Sequence, residues 1–383
     1  MKKRKKIILL SMSGIIAVLI PLLLIAQFGN DPTNYQEDYI NSIEPIPTRK
    51  LKFDVNGENV KVFNEENTDF KILQLSDVHF VGAKFGKNLD LKALKAVYEM
   101  VNYVRPDIII YTGDIVYPMR LFGSNDNIKA ATVLSSFFEK MQVPFLYEFG
   151  NHDTEVFASG TEKDINEIFQ ANPYCYAQED SAVELKHGRL SQVFEIRNHD
   201  NTLNNAIFLM DSGSYWDNTS FLSGYSNFNP ITVYWYVHKL NNLKAQEGFK
   251  NYSDISSLAF FHIPPYEYKQ AFELYEQESD EVTYLFGQND EGISCPNYTS
   301  GMFDKMVSYE STRAIFFGHD HMNSLALKYQ GIDFYYGHSI DYRAYPTIKY
   351  KDDYRGGLII SIKPDSSYEV KPQLLKDILK EGN

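Results

Sequence analysis

Three apolar runs in the first half of this 383-residue chain each stop at a carboxylate or an amide, and the stops are evenly spaced. Phe70–Leu75 leads into Ser76-Asp77-Val78-His79, Asp107–Thr112 into Gly113-Asp114, and Val143–Phe149 into Gly150-Asn151-His152-Asp153. Asp77, Asp114 and Asn151 stand 37 residues apart, twice over. Each interval has room for one helix. Leu89–Val104 places Leu91, Leu94, Val97, Tyr98 and Val101 at helical spacing, and Ile128–Met141 is the second helix. Strand, helix, strand, helix, strand predicts parallel pairing through crossover helices. Asp77, Asp114 and Asn151 then end neighbouring strands of one sheet, at the edge where open α/β sheets bind ligands.

The second half adds Gln192–Ile196, Ala206–Asp211, Leu258–Ile263 and Arg313–Phe317 as strands, with helices over Glu162–Gln170, Thr232–Leu243 and Tyr266–Glu278. His262 ends one of these strands, and Gly318-His319-Asp320-His321 follows another. Leu325–Tyr329, Phe334–Tyr336 and Leu358–Ile362 complete a second, more antiparallel set. The expected class is α/β, with two sheets face to face and helices outside. A hairpin, Leu51–Val55 and Val60–Phe63 around Asn56-Gly57, opens the domain over residues 51–383. Residues 212–230 and 287–300 read as irregular loops, long enough to suggest a functional role.

Ahead of the domain, five basic residues at positions 2–6 precede Ile7 to Phe28, an apolar stretch without a charge. About 20 apolar residues span a bilayer, whereas a cleaved secretory core is shorter, about 7–15. Residues 1–28 are therefore expected to be a signal anchor, with the basic end cytoplasmic. Residues 29–50 are expected to be a polar linker, and the domain extracytoplasmic. A cleaved signal peptide and a secreted protein are the alternative. The formal net charge is -13, and without the N-terminal basic block it is about -18. A field of that sign repels polyanions and argues against a nucleic-acid partner. Cys175 and Cys295 form no CxxC pair, which excludes a thiolate zinc site. They are free to pair in an oxidising compartment or to stay apart. Asn218, Asn251 and Asn297 begin glycosylation sequons.

Five of the nine histidines (79, 152, 262, 319 and 321) lie at strand ends, a concentration that packing does not require. Asp77 and His79 are separated by two positions, as are His319 and His321, an interval that sends both side chains off one face of a strand. Carboxylate, amide oxygen and imidazole without thiolate suit Zn, Mn or Fe. Two such ions about 3.5–4 Å apart clamp a phosphoryl group.

Taken in order over residues 70–321, Asp77-x-His79, Gly113-Asp114, Gly150-Asn151-His152-Asp153, His262 and Gly318-His319-x-His321 resemble the five motif blocks of the calcineurin-like metallophosphoesterases. The resemblance implies a four-layer α/β/β/α sandwich of two mixed sheets and a cofactor of two divalent or trivalent metal ions. It implies hydrolysis of a small-molecule or phosphoprotein phosphate ester by a metal-bridging hydroxide. Asp77, His79, Asp114 and His321 would hold one ion. Asp114 (bridging), Asn151, His262 and His319 would hold the other. Asn151 and His152 would contact the substrate, with His152 protonating the leaving oxygen. The leading expectation is a phosphomonoesterase. A phosphodiesterase or nucleotide pyrophosphatase is the alternative, and a non-catalytic binding module on the same fold a third reading. The protein Ser/Thr phosphatases of this family carry, three residues after the bridging aspartate, an aspartate that orients the catalytic histidine. Purple acid phosphatases carry a tyrosine there but lack the histidine of the first block. With both His79 and Tyr117, this chain is similar to a purple-acid-phosphatase-like branch that keeps D-x-H. Tyr117 is then expected to pack near the site rather than bind metal, and His152 is left without an identified orienting group. Nothing in the motifs bears on oligomeric state.

Overall fold

The computed structural model describes residues 33–381 apart from 58, 83–86, 119–125, 156–157, 179–190, 217–223 and 345–351. The apolar segment 7–28, expected as anchor or signal, lies outside the described residues. Among the described residues no helix is long and apolar enough to cross a membrane.

The expected hairpin is β1 (Lys52–Asn56) and β2 (Asn59–Asn64). Next come β3 (Phe70–Leu75), β4 (Ile108–Thr112) and β5 (Phe145–Glu148), alternating with helices Lys87–Val104 and Asn127–Met141. The remaining strands are β6 (Gln192–Asn198), β7 (Leu203–Leu209), β8 (Ser257–Phe260), β9 (Val282–Phe286), β10 (Thr312–Phe317), β11 (Ala326–Tyr329), β12 (Ile332–Tyr336), β13 (Gly356–Ile362) and β14 (Tyr368–Leu374). They build two mixed sheets, ordered β14-β13-β3-β4-β5 and β1-β2-β6-β7-β8-β10-β12-β11-β9. β3, β4 and β5 are parallel neighbours, so Asp77, Asp114 and Asn151 leave one sheet edge side by side.

The two-residue period of the second sheet sets the layers. Ile207, Leu209, Leu258, Phe260, Ala314 and Phe316 face the first sheet and share its core. Their alternates Ala206, Phe208, Ala259, Phe261, Ile315 and Phe317 face a separate core. That core contains Trp235 and Tyr236 of helix Pro230–Glu247, Tyr268 of helix Tyr266–Glu276 and Phe303 of helix Met302–Tyr309. The first sheet gives its other face to Leu94, Val97 and Val101 of one helix and Leu134, Phe137 and Phe138 of the next. The chain is therefore a four-layer α/β/β/α sandwich. Burial on both faces is why its central strands read as unbroken apolar runs.

Part of the segment expected as a linker is structured. Thr33–Ser42 is a helix that packs on Asn127–Met141 and Lys87–Val104. Ile40, Ile43 and Ile46, three residues apart, are buried there. That short stripe is masked in the sequence by polar neighbours and by Pro45 and Pro47. Arg49 then ion-pairs with Asp107 at 2.6 Å. The second sheet is also less antiparallel than expected. β2–β6, β7–β8, β8–β10 and β10–β12 are parallel; helix Pro230–Glu247 makes the crossover from β7 to β8, whereas β10 reaches β12 through strand β11. β13, grouped with that sheet on sequence order, joins the first sheet antiparallel to β3. The crossing is made after β12, where Ser339 bridges Ser76 on one side and Arg355 on the other. Cys175 and Cys295 are both free thiols.

Candidate metal centre

The carboxyl ends of β3, β4 and β5 meet those of β8 and β10 across the sandwich. Past the strand ends, β3 and β4 keep exchanging backbone bonds. Asp77 N donates to Gly113 O (3.2 Å), His79 N to Asp114 O (3.0 Å) and Phe80 N to Ile115 O (3.0 Å). Asp77, His79, Asp114 and His319 adopt φ of 54°, 50°, 51° and 84°. This left-handed region costs a non-glycine residue about 1–3 kcal/mol and collects at functional sites. These turns, rather than strand alternation, aim Asp77 and His79 at the same cluster. Gly113 has φ 84°, and a Cβ there would stand 2.5 Å from His262 Nδ1. A Cβ on Gly318 would stand 1.8 Å from Ser76 Oγ and 2.7 Å from Asp77 Oδ2. Only glycine lets these backbones approach closely enough for the polar side chains to meet.

Asp114 is the hub. Its Oδ2 lies 3.2 Å from His79 Nε2 and 3.1 Å from His262 Nε2, and its Oδ1 accepts from His152 N at 2.8 Å. On one flank Asp77 Oδ1 approaches His321 Nε2 at 3.3 Å. On the other His319 Nδ1 is 3.3 Å from His262 Nε2. One potential ligand atom each from Asp77, His79 and His321 fall within 4.8 Å of one another, and so do those from Asp114, His262 and His319. A third such group overlaps these two and joins His79, Asp114 and His152. Asp77, His79, Asp114, Asn151, His262, His319 and His321 are all buried. Among the described residues Asn151 Oδ1 and His319 Nε2 have no hydrogen-bond partner. A buried group left in that state costs about 1–3 kcal/mol, and a cation relieves it. His262 Nδ1 sits 2.8 Å from Thr112 O, which holds its proton on that nitrogen and presents Nε2 to the cluster. The donor set therefore fits two metal ions.

Burial opposes charge throughout, and mutual pairing overrides it. Burial lowers His79, but Asp114 and Asp341 outweigh it and hold the imidazole at about 9. His262 is likewise held at about 9 by Asp114. Burial raises Asp114, and His262 and His152 more than reverse this, leaving it well below the usual carboxylate range. His319 goes the other way, pushed well below its ordinary value by burial and by His262. A metal ion entering this cluster must displace protons from imidazole.

Three acidic residues given no role by the strand-end reading organise the site. Asp153 is the frame. Its Oδ2 accepts from Gly150 N (2.7 Å) and Asp114 N (3.0 Å), and its Oδ1 from Ile115 N and Val116 N (2.9 Å each). Asp341 spans two histidines, with Oδ1 3.2 Å from His79 Nδ1 and Oδ2 3.3 Å from His321 Nδ1. The backbone N–H groups of Arg343 and Ala344 hold its Oδ1 at 2.7 and 2.8 Å. Buried Arg355 donates Nε to Asp341 O at 3.0 Å. Glu155 Oε1 is 2.6 Å from His152 Nδ1. Asp341 stands five residues past the end of β12 (Tyr336), beyond the two to four that separate the five histidines from their strands, so strand-end spacing does not single it out. The trace of Glu155 in the sequence is its three-residue spacing from His152. Tyr117 contributes its ring, stacked on His79 and edge-on to His152 with centroids 4.8 Å away in each case. Burial, then Glu155 and Asp114, push its phenol up to about 12.

A family model described as calcineurin-like phosphoesterase matches residues 70–339. The chain is similar to an Arabidopsis thaliana protein named probable inactive purple acid phosphatase 29, with 26% identity over 329 residues, 79% of this chain and 78% of that one. It is also similar to probable inactive purple acid phosphatase 28 of the same plant, with 24% identity over 348 residues, 79% of this chain and 80% of that one. Among solved structures, a dimetal phosphatase from Danio rerio aligns with a TM-score of 0.47 and 11% identity, over 80% of this chain and 99% of that one.

Proposed function

Because the chain belongs to the calcineurin-like phosphoesterase family, we propose that it is a dinuclear metal-dependent phosphoesterase acting on phosphate monoesters. The observation that carries this reading is the complete donor set, buried around a shared Asp114 and leaving Asn151 Oδ1 and His319 Nε2 unpartnered. Asp77, His79, Asp114 and His321 would hold one ion, and Asp114, Asn151, His262 and His319 the other. Oxygen and imidazole donors suit Mn, Fe or Zn. Bound ions supply positive charge to phosphoryl oxygens and make a water more acidic. His152 differs from the seven buried donors in keeping 23% of its side chain exposed. With Nδ1 facing Glu155, its Nε2 is the nitrogen placed to protonate a leaving oxygen. The names of the two plant relatives call those proteins inactive. Here every donor position is filled, which supports catalysis. The uncharged stretch 7–28 supports an extracytoplasmic, membrane-anchored enzyme, with a secreted form as the alternative.

The test is turnover of 4-nitrophenyl phosphate against bis(4-nitrophenyl) phosphate, with and without chelator. The expected result is chelator-sensitive hydrolysis, faster on the monoester. Hydrolysis of the diester alone would make the protein a phosphodiesterase. No turnover of either ester with both ions bound would leave a binding module. His152→Ala should lower kcat on an alkyl monoester about 10²–10⁴-fold with metal content unchanged. Asp341→Asn removes a carboxylate that orients two of the proposed ligands, a change that typically weakens metal binding about 10–100-fold. Metal titration of the chelated protein reads this, and wild-type affinity would reduce Asp341 to a packing role.

A further inference from the structure

The geometry points to Glu155 as the positioning residue for both Asn151 and His152, an inference that rests on the phosphoesterase reading above. Its Oε1 meets two groups, His152 Nδ1 at 2.6 Å and the Tyr215 hydroxyl at 3.3 Å. The Tyr215 oxygen in turn accepts from Asn151 Nδ2 at 2.8 Å. An ionised carboxylate only accepts, so its charge sets the direction of every bond in this chain. His152 carries a proton on Nδ1, which leaves Nε2 as the nitrogen that exchanges a proton with substrate. Tyr215 gives its only proton to Glu155, so its oxygen must be met by an N–H of Asn151. The amide is thereby turned with Nδ2 toward Tyr215, and Oδ1 is the amide atom without a partner. Reversing the tyrosine hydroxyl would present the amide N–H₂ to the cation site instead. One carboxylate thus aims a proposed metal donor and the proposed acid, which are adjacent in the chain.

The position three residues after Asp114 cannot do this, because Tyr117 offers His152 only the edge contact of its ring. The second arm comes from the other sheet. Tyr215 lies in the irregular loop after β7, where it bridges Tyr225, whose ring packs edge-on against His319 at 4.5 Å. That loop therefore braces both sides of the donor set.

The experiment uses the full chain at saturating metal and two monoesters, 4-nitrophenyl phosphate and an alkyl phosphate. An alkoxide leaving group needs a proton, and 4-nitrophenolate does not. Glu155→Ala should lower kcat on the alkyl ester about 10²-fold, with a loss under about tenfold on the aryl ester and KM nearly constant. Glu155→Gln keeps the shape and one acceptor oxygen, so it should fold as the wild type and lose alkyl turnover to an intermediate degree. Tyr215→Phe should keep the wild-type ratio of alkyl to aryl turnover and weaken one metal ion about tenfold in a metal titration. Equal losses on the two esters in Glu155→Ala where His152→Ala discriminates between them, or wild-type alkyl turnover in both Glu155 variants, would overturn the proposal. His152→Ala separates the two levels. If it too shows no discrimination between the esters, the acid role of His152 fails rather than the place of Glu155 behind it.

Discussion

Asp114→Asn is expected to empty at least one of the two metal positions and to lower turnover by about 10³-fold or more. The carboxylate stands between two imidazoles, with one oxygen 3.2 Å from His79 Nε2 and 3.1 Å from His262 Nε2. An asparagine there can point its oxygen at the histidines or at the His152 N–H, but its nitrogen must face the other. It also removes the shared negative charge that holds His79 and His262 up at about 9. The backbone of residue 114 is untouched, because its N–H still donates to Asp153. Metal analysis, phosphatase kinetics and circular dichroism on one preparation check this. Two ions per chain with turnover near wild type would show that Asp114 is not shared between the metals.

The second large effect is on folding. Asp153→Ala removes the acceptor of four backbone N–H groups, those of Asp114, Ile115, Val116 and Gly150. An unsatisfied buried donor costs about 1–3 kcal/mol, and a domain is stable by only about 5–15 kcal/mol. The carboxylate works against its own burial, since desolvation and then Asp114 raise it to about 6. The net loss therefore lies toward the lower end, on the order of 4 kcal/mol. Chemical denaturation of chelated protein reads it without interference from metal binding. Asp153→Asn keeps one oxygen for two of the four donors and should fall between. An alanine variant within about 1 kcal/mol of wild type would mean that water replaces the lost oxygens.

Asp153 also marks the limit of the motif reading. Gly150-Asn151-His152-Asp153 locates the residue, yet most of its work is done on the backbone of a loop 37–39 positions earlier, which no spacing rule reveals. Glu155 shows the same limit at short range. Three residues from His152, it matters because the intervening turn points both side chains at Tyr215. The i, i+2 interval of Asp77 and His79 placed both side chains in one cluster, as the structure does, but the cause is two left-handed turns.

What the sequence by itself determined is the parallel set β3, β4 and β5 and the polar residues that follow the strand ends. Periodicity, helix spacing and the arrest of an apolar run at a polar residue are local properties, written into consecutive positions. That is why Asp77, His79, Asp114, Asn151, His152, His262, His319 and His321 could all be named from it. Only the tertiary structure decided how the two sheets face each other, that β13 crosses to the first sheet, and that Thr33–Ser42 packs on the domain. It alone brought Asp341 onto a histidine 262 residues away. The physical reason is that hydrogen-bond partners are chosen by the approach of backbones distant in the chain, and such a choice leaves no period to read.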